Sequence, residues 1–308
     1  MGLLVGIIVY VAVMNVAAFV LFGWDKSRAR KHARRVPERR LLLLAWLGGA
    51  LGAYSGMRVF HHKTRKRKFT FVVTPLMVLQ TLCLVALVAF AIFTGNCYHA
   101  TQEAHDALES SAEVVVEAKD NGYRFDGPGT RDVLVFYPGA NVEAEAYAPL
   151  MQSVAQAGVD CVLLQMPFNI AFFGANRADA VLEDGGYERV YVGGHSLGGV
   201  VAAQYAASHE KKLAGLVLLA SYSTEDLSQS GLDALSVYGS QDEVLNHARY
   251  AESWQNLPSD AQELVVEGGN HAGFGNYGTQ AGDGVATISA QEQQKKAAKA
   301  ISELALGI

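Results

Sequence analysis

The residues Gly194-His195-Ser196-Leu197-Gly198 set a serine between two glycines, after the apolar run "RVYVGG" and before "LGGVVAAQYAASH". That pattern reads as a strand, a tight turn and a helix that starts at once. A serine on such a turn is presented for attack on a carbonyl carbon, but its neutral hydroxyl needs a base to become an effective nucleophile. The glycines remove side chains that would clash with the strand and helix, and the helix N-terminus aims amides and a positive dipole end at charge developing there. A packing turn alone would also account for the glycines, so the case rests on partners later in the chain.

A base and an acid do occur there, each after an apolar strand-like run, where α/β sheets place their sites. "ALSVY" leads into "GSQDE", which offers Asp242, and "ELVVE" leads into "GGNHAGFG", which offers His271. Of the three histidines beyond Ser196, His209 and His247 fall in predicted helices, which leaves His271 on a glycine-rich loop. Glu225 and Asp226, after the preceding strand, are alternative acids, and Glu243 adjoins Asp242. In these roles Ser196 attacks, His271 moves the proton, and Asp242 fixes the imidazole tautomer and stabilises its charged form. The oxyanion then needs preorganised donors: the Leu197 amide, and the Ala140 amide from "FYPGA", where Gly139 lets the backbone approach.

The elements that would position these groups are short β-rich runs alternating with helical segments. "EVVVEA" and "GYRFDG" read as a hairpin around Asp120-Asn121-Gly122. Strands are predicted at residues 132–137, 161–165, 189–193, 215–220, 234–238 and 263–267. Helices are predicted at 149–157, 177–182, 197–209 and 245–257, with a last one opening at Ser289. Pro149 suits a helix start with Gly158 past its end, and Ser289 with Glu292 reads as a capping box. Runs such as "VLVFY" and "LVLLA" suit strands covered on both faces, so residues 113–308 are expected to form one α/β domain with a mainly parallel sheet and crossover helices.

Residues 1–96 are of another kind. They hold 14 Lys/Arg against Asp25 and Glu38, whereas residues 97–308 hold 11 against 28 acidic residues. Residues 2–24 and 70–95 are uncharged runs long enough to cross the roughly 30 Å hydrocarbon core as helices. Residues 41–56 are apolar, shorter and glycine-rich, flanked by the basic clusters "DKSRARKHARRVPERR" and "HHKTRKRK". If 41–56 is re-entrant, both clusters stay in the cytoplasm and the chain beyond 96 lies outside. Three full crossings give the same outcome with the N-terminus inside and the opposite one with it outside. This all-α transmembrane module is expected to contact membrane lipid, and its basic loops read as orientation signals; without interleaved aromatics they suggest no nucleic-acid surface. Residues 97–112, acidic and weakly patterned, read as a linker. Cys83, Cys97 and Cys161 show no disulfide framework or zinc-type clustering, and there is no phosphate-binding glycine loop.

With "YPGA", "GGHSLGG", "YGSQDEVL" and "GGNHAGFGNYG", residues 113–305 resemble the α/β-hydrolase superfamily, and within it small membrane-anchored bacterial hydrolases that share "YAPL", "MPFN" and "FGANRADAV". The resemblance implies Ser196, Asp242 and His271 as a triad, with no metal and no organic cofactor. "SYSTEDLSQSGLD" leaves no room for a large lid domain, so selectivity falls to short loops such as residues 167–176, whose phenylalanines would line an acyl pocket or join the core. Residues 15–69 and the apolar run after them resemble an uncharacterised family of small multi-pass bacterial membrane proteins, which implies a membrane location and no chemistry. The sequence thus points to a cytoplasmic-membrane serine hydrolase acting on a small carboxylic ester, with its catalytic domain outside. The rival reading is a non-catalytic envelope protein that keeps the fold.

Overall fold

Apolar β-rich runs bounded by turn residues set the architecture of the larger part of the chain. In this computed structural model, which describes residues 2–129 and 131–308, those runs form one eight-stranded sheet. Its strands are β1 (Val115–Lys119), β2 (Gly122–Asp126), β3 (Asp132–Tyr137), β4 (Asp160–Leu164), β5 (Arg189–His195), β6 (Gly215–Leu219), β7 (Asp233–Gly239) and β8 (Gln262–Val266). The order is β1-β2-β4-β3-β5-β6-β7-β8, with β1 and β2 antiparallel and all other pairs parallel except β2 with β4, which is antiparallel too. Every residue of β3 is buried, and its alternation feeds two cores. Leu134 and Phe136 join a core on one face, where Leu150, Met151, Ala297 and Ile301 cover the sheet. Val133, Val135 and Tyr137 join the other, covered by Val201, Ala202 and Ala206.

The chain divides into two compact units, Met1–Gly95 and Asn96–Ile308. The first contains α1 (Gly2–Arg30), α2 (Glu38–Leu44), α3 (Ala50–Val59) and α4 (Arg67–Gly95). Two helices, Leu4–Arg30 and Arg67–Gly95, are long and apolar enough to cross a membrane. Between them, α2 and α3 are separated by a break in which Gly48 has φ +105°. Free backbone groups at such a break are costly in an apolar medium. Asn15 meets two of them, donating from Nδ2 to the Gly48 carbonyl (2.9 Å) and accepting from the Gly52 amide (2.7 Å). Gln80 meets two more, accepting from the Ala50 amide (3.2 Å) and donating to the Ala45 carbonyl (2.8 Å). The two basic clusters converge on Asp25. One Asp25 oxygen accepts from the Val36 amide (2.9 Å), and the other lies 2.8 Å from His62 Nε2 and 3.2 Å from Lys63 Nζ. Residues 41–56 therefore leave and return at the same end of this unit.

In the second unit the helices are α5 (Gln102–Asp106), α6 (Ala148–Gln156), α7 (Asp179–Asp184), α8 (Leu197–His209), α9 (His247–Ser253) and α10 (Ala290–Leu306). Ser289 caps α10, its Oγ accepting from the Glu292 amide at 3.1 Å. Three expectations need correction. Residues 97–112 are folded into this unit rather than forming a linker: Tyr98 bridges to Val142, Thr101 caps α5, and Glu103 accepts from Asn276 Nδ2 at 3.1 Å. The helix predicted at 177–182 starts at Asp179, after tight turns over Ala171–Ala178. The one predicted at 245–257 starts at His247, because the Asn246 side chain caps it by accepting from the Arg249 amide.

The turn after β5 is packed backbone against backbone. A Cβ on Gly198 would fall on the Tyr137 and Pro138 carbonyls, and one on Gly194 on the Tyr137 carbonyl and Gly198 itself. Gly198→Ala is therefore expected to destabilise the chain by about 1–3 kcal/mol through overpacking. A thermal melt of the full chain in detergent should show the loss, with Gly231→Ala, where a Cβ meets open space, unchanged.

Candidate active site

Because β3, β5, β6, β7 and β8 run parallel, their carboxyl ends share one edge of the sheet, and Ala140, Ser196, Asp242 and His271 all come after those ends. Ser196 stands between β5 and α8 with φ +52° and ψ −123°, a backbone region that costs a non-glycine residue roughly 1–3 kcal/mol. Surrounding bonds hold it there. Its amide donates to the Leu219 carbonyl at 2.9 Å, and Ser221 Oγ donates to its carbonyl at 2.7 Å.

The structure brings Asp242 and His271 together, both buried, with Asp242 Oδ2 2.9 Å from His271 Nδ1. The other carboxylate oxygen of Asp242 accepts from the Val244 and Leu245 amides at 2.9 and 2.8 Å, which fixes the direction of the carboxylate. Held through Nδ1, the imidazole keeps Nε2 buried and without a hydrogen-bond partner. Ser196 and His271 line one cavity of about 200 Å³, together with Leu197, Tyr222, Val244 and Leu245. No hydrogen bond joins Ser196 Oγ to His271 Nε2. The alternative acids are engaged elsewhere: Glu225 with Thr224, and Asp226 with the Ser228 amide, while Glu243 is exposed. Among the described residues, the Leu197 and Ala140 amides donate to no protein acceptor. Phe168, Phe172 and Phe173 correct the expectation for residues 167–176, since all three are half exposed or more, outside the cores and outside this cavity.

Sequence reasoning missed the groups that hold these loops. His195 is buried, and its Nε2 donates to the His271 carbonyl at 3.1 Å. Its Nδ1 therefore accepts a hydrogen bond, donated by Tyr147 Oη at 2.8 Å, and Tyr147 Oη in turn accepts from the Gly139 amide at 3.1 Å. A Cβ on Gly139 would press on both His195 Nδ1 and Tyr147 Oη, which explains the glycine beside Ala140. Burial and the neighbouring His271 hold the His195 pKa well below the usual histidine value, so it stays neutral. Asp283 adds a clamp, accepting from the His271 and Ala272 amides at 3.2 and 2.8 Å. The position of His195 inside the turn motif, and of Tyr147 in "YAPL", were the available signals.

Residues 133–295, more than half of the chain, match the alpha/beta hydrolase family, and the chain belongs to it. Residues 15–69 match a second family, described as a protein of unknown function (DUF1294). The uncharacterized protein YsdA of Bacillus subtilis (strain 168) is 38% identical over 73 residues, 24% of this chain and 82% of that protein. Among solved structures, a predicted CIB-like hydrolase from Thermoplasma acidophilum is 13% identical, covering 62% of this chain and 99% of its own at a TM-score of 0.49. Carboxyl esterase 2 from Tuber melanosporum is 14% identical, covering 66% and 91% at a TM-score of 0.48.

A buried neutral histidine ties stability to pH. The unfolded chain binds a proton at His195 below about pH 6.5 and the native chain does not, so stability is lost as pH falls, by up to about 1.4 kcal/mol per pH unit. His195→Gln, which cannot titrate, should show a smaller loss of stability than the unmodified chain between about pH 7 and pH 5 in paired denaturation curves. Tyr147→Phe strands the buried Gly139 amide and His195 Nδ1 and should cost about 1–3 kcal/mol for each group left unsatisfied.

Proposed function

We propose that this chain is a membrane-anchored serine hydrolase of carboxylic esters. The observation that carries the reading is the His271 imidazole, tied to Asp242 through Nδ1, with Nε2 unpartnered at the cavity that Ser196 also lines. Ser196 Oγ attacks the carbonyl carbon of the ester and passes its proton to His271 Nε2. The carbonyl oxygen takes up the negative charge, which the Leu197 and Ala140 amides stabilise. As the carbon–oxygen bond to the alcohol breaks, His271 returns the proton to the leaving alcohol. Water then attacks the acyl-serine, again giving a proton to His271, and collapse releases the acid and restores Ser196. Throughout, Asp242 stabilises the imidazolium. An open, small site without added machinery for a poorer leaving group favours esters over amides.

We assign the catalytic unit to the outer side of the cytoplasmic membrane. Both basic clusters meet at one end of the first unit, around Asp25 and Glu38, as expected if residues 41–56 dip in and return. With native cysteines removed, single cysteines at Ala33 and Thr64 should resist an impermeant thiol reagent in intact cells, while one at Ser110 should react. Labelling at Thr64 alone of the two loops would mean that residues 41–56 cross fully. Protection of Ser110 until lysis would place the hydrolase in the cytoplasm.

Ester turnover tests the chemistry. Ser196→Ala and His271→Ala should each lower kcat by roughly 10⁴–10⁶, with the double variant little worse, because such residues act as a unit. Asp242→Asn should cost on the order of 10⁴. A near-neutral Asp242→Asn beside a strongly impaired Glu225→Gln would move the acid to the preceding strand end.

A further inference from the structure

The stretch that opens the second unit meets the turn after β3 at a corner that the proposed chemistry does not use. The Tyr98 amide donates to the Asn141 carbonyl at 2.8 Å, and the Glu143 amide donates to the Tyr98 carbonyl at 3.0 Å, forming a single parallel bridge between Tyr98 and Val142. Cys97 and His99 flank Tyr98, and residues two apart on extended chain point to the same side. Glu143 meets them there. His99 Nδ1 lies 2.8 Å from Glu143 Oε1, and one ligand atom from each of Cys97, His99 and Glu143 lies within 4.8 Å of the other two.

Neighbouring groups already orient this trio. Asn169 Nδ2 donates to Cys97 Sγ at 2.9 Å, and the Ala100 amide donates to Glu143 Oε2 at 2.9 Å. Beside them Asn141 donates from Nδ2 to the carbonyl of Asn96, the residue before Cys97, while its Oδ1 is buried and has no hydrogen-bond partner. A buried acceptor left open costs about 1–3 kcal/mol, so this corner lacks a donor.

We propose that Cys97, His99 and Glu143 bind a zinc ion, with water in the fourth position. Thiolate sulfur, imidazole nitrogen and carboxylate oxygen are the donors that zinc takes, whereas magnesium and calcium favour all-oxygen sets. Three protein ligands leave one tetrahedral position for water. Binding requires no redox step. The Cys97 thiol releases its proton to solvent, and the His99 imidazole changes tautomer, its proton moving from Nδ1 to Nε2 by exchange with solvent, so that the Nδ1 lone pair faces the metal. Bound zinc would fasten residues 97–99 to the turn that carries Ala140. No zinc-type cluster is visible in the sequence because the third ligand lies 44 residues beyond the second.

The test is direct metal binding by the full chain, purified in detergent and stripped with a chelator. Titration with cobalt(II) alone should give one equivalent of binding, with a thiolate-to-cobalt charge-transfer band that zinc then displaces. The band should be lost in Cys97→Ser and retained in Cys83→Ser, whose cysteine is exposed on α4. His99→Ala changes a side chain that is 73% exposed, so the variant should fold. Zinc affinity should fall at least about tenfold there and in Glu143→Gln, since even changes to the groups behind a ligand cost that much. Absence of the band, its survival in Cys97→Ser, or unchanged affinity in His99→Ala would overturn the site. Because the readout is metal binding, it stands or falls apart from ester hydrolysis.

Discussion

The buried imidazole of His195 joins three strand ends that would otherwise be independent loops. One nitrogen donates to the carbonyl of His271, beyond β8, and the other accepts from Tyr147, whose hydroxyl holds the Gly139 amide beyond β3. His195 is itself the residue before Ser196, at the end of β5. The neutral state is required, since both nitrogens are committed in one tautomer, and burial enforces that state. Each group in the chain is satisfied, and inside a protein such a network rigidifies what it connects. The backbones of the three loops that carry Ser196, His271 and Ala140 are thus tied to one another.

The same economy of backbone satisfaction governs the first unit. A broken helix is tolerable between apolar helices because Asn15 and Gln80 take up its free amides and carbonyls, and Gly52 lets α3 lie directly on the Asn15 backbone. Its two acidic residues are both spent at one end, Asp25 against His62 and Lys63, Glu38 against Lys63 and Lys66. The basic clusters that read as orientation signals in the sequence thus meet in one organised junction.

Where a placement comes from local pattern, the sequence was legible. Ser196 stood out as a candidate by its strand-turn-helix setting, and His271 as the one later histidine outside a predicted helix, while the β-rich runs marked nearly every strand. Asp242 was preferred over Glu225, Asp226 and Glu243 by its place in the chain and by resemblance, and the loop after β7 turns its carboxylate onto His271. What escaped depends on contacts between distant residues. Residues 97–112 look like a spacer on their own and fold because Val142 and Asn276 meet them. Tyr147 and His195 lie 48 residues apart, and only the order of the strands brings them together. The three phenylalanines of residues 167–176 suggested an acyl pocket or the core, but tight turns hold all three outward.

The central claim is that Ser196 is chemically activated by its surroundings, and a fluorophosphonate probe reads activation without requiring the natural substrate. Incubated with the full chain and followed by peptide mass spectrometry, the probe should leave a single adduct on Ser196. Labelling should be abolished in Ser196→Ala and slowed strongly in His271→Ala. An intact, folded chain that takes up no probe, or labels equally well without Ser196 or His271, would contradict the account.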